Sequence, residues 1–182
     1  MKKLFFLLSL IVNSIVAQSL EDNFYAANDF YKNEKFEKAI ELNKTNPKPI
    51  LIDVYTDWCG YCKKMDKETY ENEVITKYIN SNFHAIKLNG EGKEDIKYKG
   101  HTYKFKQQGR TGYHELAVAF LEGKLSYPTT IFLTKKEELL QKIPGYLSKE
   151  HFEKVLAFFN TEAYNSINWE EFEKNFKSKI NP

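Results

Sequence analysis

The stretch DVYTDWCGYCKKM, residues 53–65, holds both cysteines of the 182-residue chain, Cys59 and Cys62, with Gly60 and Tyr61 between them. It begins inside an apolar, β-branched run from Ile50 to Thr56 that reads as a buried strand, and it continues past Lys63 and Lys64 as a helix. Three chemistries suit such a pair: a structural disulfide, part of a zinc site, or a reactive dithiol. A bridge across so few residues closes a tiny loop, where the entropic gain of cross-linking is smallest, and a chain of this length folds on its core without staples. Zinc normally takes four ligands, and His84, His101, His114 and His151 stand at no ligand-like spacing from one another, so no metal is expected. A dithiol at a strand–helix junction gains from the unpaired first-turn amides and the positive end of the macrodipole, which stabilise a thiolate on Cys59. Cys59 is therefore the expected nucleophile and Cys62, one turn further in, the expected resolving thiol. Lys63 and Lys64 read as a solvated helix face.

Asp53 interrupts the strand Ile50–Tyr55, where an unpaired carboxylate is costly to bury. Burial raises a carboxyl pKa, so a protonatable group beside the dithiol is placed to take the proton of Cys62 as that thiol attacks a mixed disulfide. The alternative reading has Asp53 facing solvent on an edge strand. Pro128 stands directly before the run TTIFL, where proline cannot donate to a sheet, and marks a special backbone with a cis Tyr127–Pro128 peptide as one form of it.

Together these residues resemble the thioredoxin superfamily. WCGYCK is similar to that family's Trp-Cys-Gly-X-Cys-Lys active site, with Tyr61 where proline is usual. Asp53 sits at the position of the family's buried aspartate, and Lys87, in AIKLN, matches the lysine that pairs with it. Pro128, in YPTTIFL, matches the cis-proline, whose preceding residue, here Tyr127, lies against the dithiol and pairs with substrate backbone. The resemblance covers residues 47–160. It implies an α/β thioredoxin fold, a central mixed β-sheet flanked by helices, with catalytic Cys59, Cys62, Asp53 and Lys87 and a substrate surface of Trp58, Gly60, Tyr61, Tyr127 and Pro128. No cofactor is implied.

The surrounding sequence adds helical extensions at both ends, residues 18–46 and 161–182. Phe36, Ala39, Ile40 and Asn43 share one helical stripe, and Pro47 and Pro49 end that segment. Asn72 restarts a helical pattern, 83–89 reads as a second strand, and 113–124 reads as a helix bearing Leu116, Ala117, Phe120 and Leu121. YPTTIFLT and LLQKI read as strands joined by the turn KKEE. Ser148 is a candidate N-cap for a helix with Phe152, Val155, Leu156 and Phe159 on its apolar face, and Asn168 caps a last short helix. The stretch between Lys87 and Pro128 is longer than its counterpart in a minimal thioredoxin, and 90–112 within it is polar, lysine-rich and punctuated by glycine. The middle of 90–112, IKYKGHTYKF, suits a hairpin about Gly100.

Residues 1–17, MKKLFFLLSLIVNSIVA, combine a basic start with an apolar run too short to span roughly 30 Å of hydrocarbon. They read as a secretory signal peptide cleaved near Ala17, although Ile15 is bulkier than the usual pattern, and an uncleaved anchor is the alternative. Lys2 and Lys3 are two of the 27 basic residues, so the remainder balances 25 basic against 25 acidic side chains. Such a neutral chain gives no reason to expect nucleic acid as a partner. The expected protein is an exported monomer, periplasmic or extracellular, acting on disulfide-containing exported proteins and fed by a membrane or exported thiol electron donor. Gly-Tyr between the cysteines also occurs in exported disulfide isomerases, so isomerase or oxidase activity stays open beside reduction. So does a binding module with a redox-sensitive dithiol and the 90–112 stretch as its interface.

Overall fold

The computed structural model describes residues 36–180. The expected signal peptide, and the part of the N-terminal extension before Phe36, lie outside the described residues. Ile50, Leu51, Ile52 and Val54 are each completely buried, which requires a strand covered on both faces. Accordingly β1 (Ile50–Tyr55) lies inside a four-stranded sheet. It pairs in parallel with β2 (His84–Asn89), and antiparallel with a later strand, Thr129–Leu133. That strand in turn pairs antiparallel with Leu139–Pro144 at the sheet's edge, where a proline is tolerated.

Alternation along the strands divides the core into two halves. Leu51 and Phe132 face α3 (Glu73–Asn82) and the helix Lys149–Asn160, with Ile75, Ile79, Phe152, Leu156 and Phe159 around them. Between β1 and α3 runs α2 (Gly60–Met65). Ile50, Ile52, Val54, Ile86 and Ile131 face the other way, against α1 (Phe36–Thr45) and α4 (Glu115–Leu121). The expected stripe on α1 is buried at Phe36, Ala39 and Asn43, with Ile40 half-buried. The result is a mixed sheet between two helical layers, with six α-helices among the described residues.

Two local features depart from the sequence reading. The helix after the dithiol does not run on evenly through KKMDKETY: α2 ends at Met65, and residues Asp66–Tyr70 form a π-helical turn. Thr69 anchors that turn by donating its hydroxyl to the Leu147 carbonyl at 2.6 Å. The stretch between β2 and α4 folds into two hairpins. The first, β3 (Ile96–Tyr98) with β4 (His101–Tyr103), turns at Lys99-Gly100, both with positive φ, as the sequence predicts. The second, β5 (Phe105–Gln108) with β6 (Thr111–His114), is too short and polar to show an apolar alternation in sequence. Gly112 permits it, because a Cβ there would lie 2.1 Å from the Phe105 ring.

After β7 (Thr129–Leu133) and β8 (Leu139–Pro144), Ser148 caps α5 (Lys149–Asn160) by accepting the His151 N–H. Asn168 caps α6 (Trp169–Asn175) in the same way at Glu171. Trp169 and Phe172 pack their rings on Phe158 of α5, with centroids at 5.3 and 5.0 Å. The chain then returns to α5, where the buried carboxylate of Glu153 accepts from the Ser178 hydroxyl and the Lys179 N–H, both at 2.6 Å. Hydrogen bonds to an ionised acceptor are the stronger kind, so Glu153→Ala is expected to cost about 2 kcal/mol of stability. It should also speed tryptic cleavage at Lys177 and Lys179; a cleavage rate equal to the parent's would show that the tail is held by its rings alone.

Candidate functional site

The site grows out of the C-terminal end of β1. Cys59 donates its N–H to the Thr56 carbonyl at 3.1 Å and adopts an extended conformation as the N-cap of α2. Its sulfur accepts the Cys62 N–H at 3.0 Å, and the two cysteines are joined as a disulfide, the oxidised form of the dithiol. Both residues are shielded, 5% and 3% exposed, so accessibility hardly ranks them. Position separates them: Cys59 is the N-cap, whose sulfur accepts a first-turn amide, that of Cys62, while Cys62 itself lies within the first turn. Gly60 opens α2, and a Cβ on it would meet nothing within 4 Å.

Asp53 lies on the face of β1 that also carries Leu51, and is 1% exposed. The solvent-facing alternative is thereby removed. Lys87 stands opposite it in the parallel register of β1 and β2, with its ammonium 3.2 Å from one carboxylate oxygen. The other oxygen of Asp53 has no hydrogen-bond partner among the described residues. Lys87 also bonds Asp66, which the π-helical turn brings to it, and lies over the rings of Tyr55 and Tyr70 at 4.8 and 5.7 Å. Burial pushes the Asp53 carboxyl up to about 6; Lys87 pulls it down, and the nearby charge of Asp66 pushes it up again. For Lys87, burial works against the ammonium, but two carboxylates outweigh it and its pKa is raised. Asp66 was not singled out in the sequence. Its signal there is an acid four residues beyond Cys62, in a segment whose Met65 and Tyr70 are buried.

The Tyr127–Pro128 peptide is cis. The Tyr127 ring meets Trp58 edge-on at 6.0 Å, which brings the proline loop to the dithiol. Gly90 makes room for that ring, since a Cβ there would lie 2.3 Å from the Tyr127 hydroxyl. Neither the N–H nor the C=O of Tyr127 is hydrogen-bonded among the described residues. Trp58 and Tyr61 stand out into solvent, each 65% exposed. The histidines do structural work: His114 caps α4 through Nδ1 while its Nε2 meets the Glu94 carbonyl, and His84 reaches the Asn46 carbonyl.

A dithiol at a strand–helix junction, a buried carboxylate–lysine pair and a cis-proline on a four-stranded mixed sheet define a thioredoxin-type protein. The chain belongs to the thioredoxin-like family, whose domain description matches residues 36–160. It is 27% identical over 128 residues to a protein disulfide-isomerase of Schizosaccharomyces pombe, covering 70% of this chain and 28% of that one. It is 30% identical over 46 residues to the thiol:disulfide interchange protein DsbD of Vibrio vulnificus, covering 25% of this chain and 8% of that one. The chain thus spans well under a third of the length of these curated relatives. Among solved structures, a thioredoxin-fold protein from Helicobacter pylori superposes with a TM-score of 0.53 at 21% identity, covering 71% of this chain and 80% of that one.

The raised Asp53 carboxyl has a consequence for stability. The folded state holds its proton more tightly than the unfolded state, so stability is lost as pH rises from the ordinary value of 3.8 through about 6. Asp53→Asn removes that cost, and is expected to raise the unfolding free energy by about 3 kcal/mol at pH 8, with the gain fading below about pH 4. Denaturant titrations at the two pH values check this; a variant less stable at pH 8 would mean that Lys87 repays the burial of Asp53 in full.

Proposed function

We propose that this protein is an exported thiol–disulfide oxidoreductase that reduces protein disulfides through Cys59 and Cys62. The observation that carries the reading is the carboxyl of Asp53, buried on the strand leading into the dithiol and poised near pH 6. A base with that pKa is mostly ionised at neutral pH and is matched to accepting a proton from a thiol. In the reduced protein the Cys59 thiolate attacks one sulfur of a substrate disulfide, forming a mixed disulfide and releasing the first substrate thiolate. Cys62 then gives its proton to Asp53 and attacks the Cys59 sulfur. The Cys59–Cys62 disulfide forms, the second substrate thiolate leaves, and two electrons have passed to the substrate. Lys87 and Asp66 keep Asp53 within reach of both protonation states. A thiol donor must return two electrons for the next cycle. The backbone groups of Tyr127, unpaired among the described residues, suit pairing with an extended substrate segment, and Trp58, Gly60, Tyr61 and Pro128 line its approach.

Export rests on the signal-like residues 1–17. The expected tail, 161–182, folds back on the 47–160 domain over its described residues 161–180. Isomerisation is the second reading, favoured by Tyr61 at the position where proline is usual and by the disulfide-isomerase relative.

Purified protein is expected to accelerate thiol-dependent insulin precipitation, and Cys59→Ser to lose that acceleration. That pair of results rules out the binding-module reading, whereas a purified protein that gives no acceleration leaves it standing. Cys62→Ser should trap substrates as mixed disulfides on Cys59. In stopped-flow reduction, the resolving step should quicken as pH rises through about 6, where Asp53 ionises, and Asp53→Asn should slow that step and remove its inflection. Equilibration of the Cys59–Cys62 pair with glutathione decides direction: a potential near −270 mV marks a reductant and one near −120 mV an oxidant, on the scale of about 30 mV per 1.4 kcal/mol.

A further inference from the structure

Of the large hydrophobic side chains, the two most exposed among the described residues are Trp58 and Tyr61, and both border the disulfide. Trp58 is already engaged by Tyr127 on the side of the cis-proline. Tyr61 has a different neighbour, Tyr146, in the loop between β8 and α5, with ring centroids 6.5 Å apart. Tyr146 is fixed at its hydroxyl and its ring. The hydroxyl donates to Glu68 at 2.8 Å, the Lys64 ammonium lies 4.9 Å from the ring centroid, and Lys64 pairs with Glu68 at 3.8 Å. Its loop is tied to the proline loop as well, since Gly145 donates its N–H to the Pro128 carbonyl at 2.8 Å. Lys64 and Glu68 offset each other's charge at the Tyr146 ring.

We propose that Tyr61 and Tyr146 form a side-chain slot that selects protein disulfides carrying an aromatic or bulky aliphatic residue next to the attacked cysteine. The inference rests on the reading of this chain as a disulfide reductase and adds to it the class of substrate. The occupant is an extended segment, because the N–H and C=O of Tyr127, unpaired among the described residues, offer one strand-like pairing site beside the dithiol. In an extended segment successive side chains point to opposite sides, so the neighbour of the bound cysteine is directed away from the sulfur and towards the rim. A tyrosine already pinned by two partners gives up little rotamer freedom when covered, and covering the exposed Tyr61 ring removes apolar area from water. Both effects favour a ring or a branched aliphatic chain over a small polar one.

The test uses the full mature protein, dithiothreitol as donor, and two disulfide-linked reporter peptides that differ only in Phe or Ser after the cysteine. Wild type is expected to show kcat/KM about tenfold higher for the Phe peptide, the low end of what an apolar pocket discriminates. Tyr146→Ala and Tyr61→Ala should each bring that ratio close to one. Tyr146→Phe, which keeps the ring and loses the Glu68 bond, should retain most of it. The pH profile of Cys59 alkylation serves as a readout that a damaged dithiol would shift and a lost slot would not. A ratio near one in wild type, a ratio preserved in both alanine variants, or a collapse accompanied by a shifted alkylation profile each overturns the slot. Wild type that turns over neither peptide overturns the reductase reading itself, an outcome distinct from equal turnover of both.

Discussion

A carboxylate buried in the middle of the central strand is the constraint around which the rest of this molecule is arranged. Asp53 is covered on all sides, and an isolated charge there is untenable. The parallel register of β1 and β2 answers it by setting Lys87 directly opposite. Lys87 is itself nearly buried and has to be satisfied, which the π-helical turn achieves by bringing Asp66 against it. Burial pushes the Asp53 carboxyl up to about 6, Lys87 pulls it down, and the nearby charge of Asp66 pushes it up again. The sheet register, the irregular helix and the proton affinity of one side chain are therefore parts of a single electrostatic arrangement. π-helical turns often occur at functional sites, and here the cause is visible in what the turn delivers.

Much of this was legible in the residues. The apolar run of β1 with one acid in it, the cysteines directly after it, Lys87 in the next strand and the proline directly before β7 each left a local signature. The helix caps at Ser148 and Asn168 were equally plain, because a capping side chain acts on amides two or three residues away. What escaped was set by contacts far apart in sequence. Asp66 becomes a partner of Lys87 only once the helix departs from α-periodicity, and nothing in KKMDKETY announces that departure. The β5–β6 hairpin carries too little apolar alternation to be read, and depends on Gly112 yielding space to a ring seven residues away. Tyr146 matters through Tyr61, Lys64 and Glu68, all on a different segment.

Rings and backbone divide the work around the dithiol. On one side Trp58 rests on Tyr127, whose own position depends on a glycine at the end of β2. On the other, Tyr61 and Tyr146 stand over a balanced ion pair. Between them the disulfide is shielded although its borders are exposed, so a partner meets aromatic surface before it meets sulfur.

Gly90 is also where the two-hairpin excursion begins and ends. Its N–H goes to the Tyr55 carbonyl and its own carbonyl takes the N–H of His114, both at 2.7 Å, so the chain leaves the sheet and comes back at one residue. A loop whose ends are already pinned together adds little entropic cost when its interior lengthens. The segment between Gly90 and His114 thus leaves and rejoins the fold at one point beside the dithiol, and it is not a bare loop, because Tyr98 of its first hairpin is buried in the core against Phe36 and Phe120.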